Sequence, residues 1–336
     1  MLFVRFEDLP SELLSHIYLS CSCISDILHL SSTCKRLQGI FKSSHKLDYL
    51  EQAIEAEYGP IDDAIQLISQ NETQPAHYHR AVPFSMALVR QIVAVGRVAR
   101  SWEEIYPFKR WHDNYEDRRL LSTTERYRLR RALYRLWLYS HAFHNAAHPR
   151  YSRKQLVVLR WRAQLMQKWS NAELAEMADA HAVLRDVLRT SVCPSNGTVL
   201  SKFRKRFPDS QQQLCFNLHL NYPLPQPGFG QDKYHARYKS TAHWEPGCEG
   251  WGDDLSHYYV IEDYLKLDPG QILSLKNSAL TKVQVEAYVR GLGEWFDNNG
   301  ETFGETLEYV LRTREYELDE FLEAVANGEL GVAITL

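Results

Sequence analysis

Three histidines at helical spacing are the first residues able to do chemistry: His141, His144 and His148, in the run Ser140-His141-Ala142-Phe143-His144-Asn145-Ala146-Ala147-His148. Residues four apart share a helix face, so His144 and His148 could offer two imidazoles to a divalent cation. No glutamate lies between them, which removes the base of an H-E-x-x-H metalloprotease. Pro149 ends the segment, and histidines near a helix C-terminus are favoured by the dipole alone, so the expectation is a solvated helix end and no metal. His235, His243, Asp253, Asp254 and His257 could serve acid–base or metal work, yet five such residues in a polar stretch are ordinary without function. No phosphate-binding loop, dinucleotide fingerprint or nucleophile elbow occurs in the sequence. The chain is therefore expected to be non-catalytic, with no cofactor. Six cysteines without a C-x-x-C pair read as reduced thiols rather than a disulfide frame or zinc knuckle.

Arginine is the next candidate. Arg126, Arg128, Arg130, Arg131 and Arg135 alternate with Tyr127, Tyr134 and Trp137, a pattern that suits nucleic acid. The aromatics also fall on or beside an apolar stripe, where burial explains them equally well. Charge is unevenly spread along the chain. Thirteen Lys or Arg stand against one acid between Arg118 and Lys168, and eighteen acids against six bases between Glu249 and Leu336. The favoured expectation is that the basic middle packs on the acidic end; the other is two opposite poles presented to partners.

The elements that carry these residues are helical. With 336 residues, 44% apolar and 24% charged, the composition is that of a folded chain and excludes wholesale disorder. No stretch approaches the roughly 18 apolar residues of a membrane span, and no signal peptide is evident, so a cytoplasmic or nuclear location is expected. The glycosylation patterns at Asn71 and Asn196 read as chance. Leu88, Ile92, Val95, Val98, Trp102 and Ile105 make one stripe; Leu129, Leu133, Leu136 and Trp137 make another after the capping box Ser122-Thr123-Thr124-Glu125. Ser170-Asn171-Ala172-Glu173 repeats the cap before Leu174, Met177, His181, Leu184 and Leu188. Val285, Tyr288, Val289, Leu292 and Trp295, then Leu318, Phe321, Leu322 and Val325, form the last two stripes. No period-two alternation and no repeat array appears, so the fold class is all-α.

The first forty-odd residues are the most informative. Asp8-Leu9-Pro10-Ser11-Glu12 opens a helix, with proline in the first turn and Glu12 at the positive end of the dipole. Leu13, Leu14 and Ile17 give it an apolar face. Ser25 and Asp26 are expected to cap a second helix carrying Ile27, Leu28 and Leu30, and a third follows with Cys34, Lys35, Arg36, Leu37 and Phe41. Three short amphipathic helices are too small to bury all their own apolar surface. The series Leu9-Pro10-Ser11-Glu12-Leu13-Leu14, Ile17, Asp26-Ile27-Leu28, Leu30 and Cys34-Lys35-Arg36-Leu37 resembles the F-box, over residues 4 to about 45. The Ser-Cys cluster from Ser20 to Cys23 is unusual for that family. The repeat-free remainder is similar to that of many fungal members.

The resemblance implies a role rather than a reaction. F-box proteins dock on the Skp-type adaptor of SCF (cullin–RING) ubiquitin ligases and hold a protein substrate with the rest of the chain. It carries adaptor contact onto Leu9, Pro10, Leu13, Ile17, Leu28 and Leu37, with Glu12 and Lys35 at a charged rim; periodicity leaves open which of these face the adaptor and which the internal core. Residues 1–48 would be the docking domain and 49–336 a helical substrate-binding domain. Its substrate surface is expected on the Pro-, Gly- and aromatic-rich loop 222–254, through Phe229, Tyr234, Trp244 and Trp251, with the Arg118–Lys168 face as runner-up. The alternatives are a non-ligase F-box scaffold and a nucleic-acid-associated helical protein using the arginine-rich helix.

Overall fold

In the computed structural model the described residues are 9–71, 74–194, 204–206, 208, 264–279 and 281–334. They form fourteen α-helices with no strand, and the fold is all-α. In chain order these are α1 (Ser11–Leu19), α2 (Ile24–Thr33), α3 (Lys35–Phe41), α4 (Lys46–Tyr58), α5 (Ile61–Ser69), α6 (Met86–Arg110), α7 (Thr123–Phe143), α8 (Leu156–Met166), α9 (Asn171–Val187), α10 (Pro269–Ser278), α11 (Lys282–Gly291), α12 (Trp295–Asn298), α13 (Phe303–Thr313) and α14 (Leu318–Asn327). None is long and apolar enough to cross a membrane. The loop 222–254, with Phe229, Tyr234, Trp244 and Trp251, lies outside the described residues, as do His235, His243, Asp253, Asp254 and His257. The chain divides into two compact units, one of residues 1–142, 164–180 and 310–336, the other of 143–163 and 181–309.

In the first unit α4 packs against both α2 and α6, and α5 against α6. The buried stripe of α6 is Leu88, Ile92, Gly96, Ala99, Trp102 and Tyr106, whereas Val95, Val98 and Ile105 sit at its margins. Small residues hold the centre because another side chain comes closest there: a Cβ at position 96 would lie 2.5 Å from the Tyr58 ring. Apolar size marks a helix face, but close approach selects its smallest members. At the end of α6, the Tyr106 hydroxyl donates to Asp179 Oδ2 at 2.6 Å, and the Val332 amide donates to the same oxygen at 2.9 Å. Gly331, at φ 113°, has no room for a side chain beside that carboxylate.

Both capping boxes read from the sequence form. Ser122 Oγ accepts from the Glu125 amide while Glu125 Oε2 accepts from the Ser122 amide, and Ser170 and Glu173 do the same for α9. Yet α7 is not a half-exposed amphipathic helix: its residues 132–136 are all buried, arginine included. The second unit has its own core, with Leu184, Val187, Leu188, Tyr264, Ile272, Leu275, Phe296 and Leu307 among the buried side chains. Its helix α10 begins with a full capping box between Asp268 and Gln271 and a proline at the helix start.

Candidate functional site

The first three helices are set by unusual caps. Cys23 Sγ, rather than Ser25 or Asp26, caps α2 by accepting from the Asp26 amide, and Cys34 Sγ caps α3 by accepting from the Leu37 amide. Glu57 Oε2, from α4, takes the Ile24 amide at 3.0 Å, satisfying another orphan donor in the first turn of α2. Its other oxygen receives Arg100 of α6 at 3.1 Å, so the start of α2 is fixed to the helices behind it. Arg36 reaches back to the Leu9 carbonyl at 2.6 Å and holds the entry of α1.

Inside, Leu14, Tyr18, Ile27, Leu37 and Phe41 close a small core against Tyr49 and Leu50 of α4. The Tyr18 ring stacks on Tyr49 at 5.1 Å and on Phe41 at 6.0 Å, and its hydroxyl donates to the Leu37 carbonyl at 3.0 Å. Burial, with neighbouring thiols adding to it, pushes that phenol up to about 12. Leu37, only 2% exposed, is thus part of the internal core and has no free face, unlike the other residues to which adaptor contact was carried. Leu13 is 49% and Leu28 50% exposed, Pro10, Glu12 and Lys35 are exposed, and Leu9 and Ile17 are half-buried. Leu13 and Leu28 are thus large aliphatic side chains left outside a closed core. Leu19 is also exposed on α1, beyond the stripe set by Leu13 and Ile17.

A family model for the F-box domain matches residues 6–49. The chain carries an N-terminal F-box. F-box domains bind Skp-type adaptors in SCF complexes, and they are typical of the substrate-recognition subunits; F-box proteins are generally non-catalytic. No curated protein and no solved structure matches the chain.

Beyond the F-box, the structure rearranges the other candidates. The arginines of α7 are engaged within their own unit: Arg135 with Asp63 and Glu173 at 2.6 and 2.8 Å, Arg131 with Glu176 at 2.6 Å, and Arg130 with Glu103 and the Glu57 carbonyl. Among the described residues the partners come from α5, α6 and α9, not from the acidic C-terminal region as the sequence suggests. Among the described residues Arg153 and Arg162, both outside α7, meet an acid of that region, Glu305. His144 is not a solvated helix end. It is buried, with Nδ1 at 3.2 Å from the Lys266 carbonyl and Nε2 at 3.2 Å from Thr302 Oγ1. Burial, reinforced by the Lys266 charge, holds it down to about 3, so its ring is neutral at pH 7. Asn299 Nδ2 closes the adjoining end of α7 by donating to the carbonyls of Phe143, Asn145 and His148. Among the described residues no three His, Cys, Asp or Glu side chains come together as a metal site.

Proposed function

We propose that the chain is the substrate-recognition subunit of an SCF-type ubiquitin ligase. It docks on a Skp-type adaptor through Leu9, Pro10, Leu13, Ile17 and Leu28, with Glu12 and Lys35 setting register at the rim. Residues 49–336 hold a protein substrate and supply no catalysis, which belongs to the RING partner and its ubiquitin-charged enzyme. The observation that carries this reading is the exposure of Leu13 and Leu28 on an F-box whose own core is already closed around Leu14, Tyr18 and Leu37. The arginine-rich helix, committed to Asp63, Glu103, Glu173 and Glu176, gives little support to nucleic-acid binding.

The experiment is co-purification of the full chain with a Skp-type adaptor and a cullin. Wild type should bring down both, and a Leu13→Asp/Leu28→Asp double variant neither, with its thermal midpoint unchanged because both positions are exposed. A Leu9→Ala/Pro10→Ala variant should weaken the same interaction. A folded wild type that ignores the adaptor sinks the reading. Binding to the adaptor without recruitment of the cullin would leave the chain a scaffold rather than a ligase subunit.

A further inference from the structure

We propose that the outward face of α8 is the seat for an acidic, amphipathic helical segment of the captured protein. This rests on the substrate-receptor reading and names the part of the chain that meets the substrate. The inward side of α8 is fixed. Arg162 is buried, its Nε donating to Thr306 Oγ1 at 3.1 Å and its Nη2 to the Arg153 carbonyl at 2.8 Å, and Ala163 beside it is fully covered. Helical periodicity then turns Leu156, Val157, Arg160 and Trp161 outward, and all four are exposed.

Val157 is 78% exposed and stands one turn before Trp161, so the face presents an apolar ridge at the spacing a second helix would match. Trp161 is 36% exposed yet held from behind. Its ring meets Phe143 edge-on at 5.3 Å and His148 at 5.0 Å. A tryptophan fixed on one side and open on the other has little side-chain entropy left to lose, which is what an interface anchor needs.

Charge selects the partner. No Asp or Glu occurs anywhere between Arg126 and Ala172. Lys154 and Arg160 are exposed around the ridge, and Glu305, an acid packed near this helix, is engaged by Arg153 and Arg162. Apolar side chains framed by cations suit a segment with Leu- or Phe-like residues at helical spacing and carboxylates on the flanks, and repel a basic one. A nucleic acid is the poorer match, since it would gain two cations and leave Leu156 and Val157 without a use.

The probe is a fluorescent peptide of about 18 residues built from Leu, Ala and Glu, with Leu at every third and fourth position, long enough to hold a helix. Binding to the full chain is read by anisotropy. Saturable binding is expected, weakened at least about tenfold by Val157→Asp and by Trp161→Ala. Arg160→Glu should weaken it severalfold at low salt and less at high salt, and Tyr78→Ala, exposed elsewhere, should change nothing. Val157 touches no core, so its variant reads the surface even if Trp161→Ala loosens the helix. No saturable binding, no effect of Val157→Asp, or equal binding of a scrambled peptide or a single-stranded oligonucleotide overturns the proposal. So does self-association of the chain that these variants abolish, which would make a second copy the occupant. The same variants are tested for adaptor co-purification. Variants that lose the peptide but keep the adaptor support the seat; a wild type that binds the adaptor but no peptide condemns the α8 seat alone, whereas one that binds peptide but no adaptor condemns the ligase reading alone.

Discussion

His144 carries the clearest consequence at the scale of single residues. Its ring is buried beside Lys266, with Arg162 and His181 adding further positive charge, and it is held well below the usual histidine value of 6.5, at about 3. The unfolded chain takes up a proton below 6.5 while the folded chain does not until about 3, so stability falls as pH drops through that window. His144→Gln keeps a donor and an acceptor but cannot titrate. Urea unfolding at pH 7 and pH 5 should give wild type a loss on acidification that is smaller, by up to one proton's worth of slope, in the variant. Equal slopes would mean that the ring is protonated inside the fold.

Leu37 and Leu13 separate the two jobs of one small element. Leu37→Ala opens a cavity beneath Tyr18 and should cost about 2–5 kcal/mol, taking adaptor binding down with the fold. Leu13→Asp should leave the melting curve in place and remove binding. Thermal melts run alongside co-purification check both. The cap of α7 behaves similarly at the level of an element. Glu125 accepts from Arg119 at 2.5 and 2.6 Å and closes the capping box with Ser122, and the Arg119 guanidinium holds its carboxyl down to about 2. Its contribution is complete above the ordinary carboxylate value and lost as pH falls toward 2. Glu125→Gln should cost about 1–2 kcal/mol at pH 7 in urea unfolding, with the difference shrinking below pH 4.

For the molecule as a whole, the arginines matter as internal charge rather than as a free basic surface. Arg135, pressed between Asp63 and Glu173 and over the Trp169 ring at 5.0 Å, is almost wholly buried. Arg135→Ala leaves Asp63 without its ion-pair partner and Glu173 with Arg131 alone, at 3.6 Å, and should cost about 3–5 kcal/mol. Affinity for a single-stranded oligonucleotide should be weak in the wild type and no weaker in a variant that stays folded. A steep, salt-sensitive loss of oligonucleotide binding on that substitution would revive the nucleic-acid reading.

Local order was legible in the sequence alone. The all-α class, the capping boxes at Ser122 and Ser170 and the F-box pattern from Leu9 to Leu37 all rest on interactions between residues a few positions apart, and periodicity records those directly. Even there, Cys23 displaced Ser25 and Asp26 as the cap of α2, because the side chain that meets the Asp26 amide belongs to the residue where the chain turns into the helix. Tertiary structure decided the rest. Which leucines of the F-box face inward depends on where Tyr18 and Tyr49 stack. Gly96 lies on the buried face of α6 because Tyr58 leaves no room for more, and a window of residues around position 96 holds no trace of position 58. The acids that neutralise α7 are nearer in the chain than the C-terminal run whose charge balances it. Charge balance along a sequence counts residues, whereas an ion pair forms only where helix packing brings two side chains within reach.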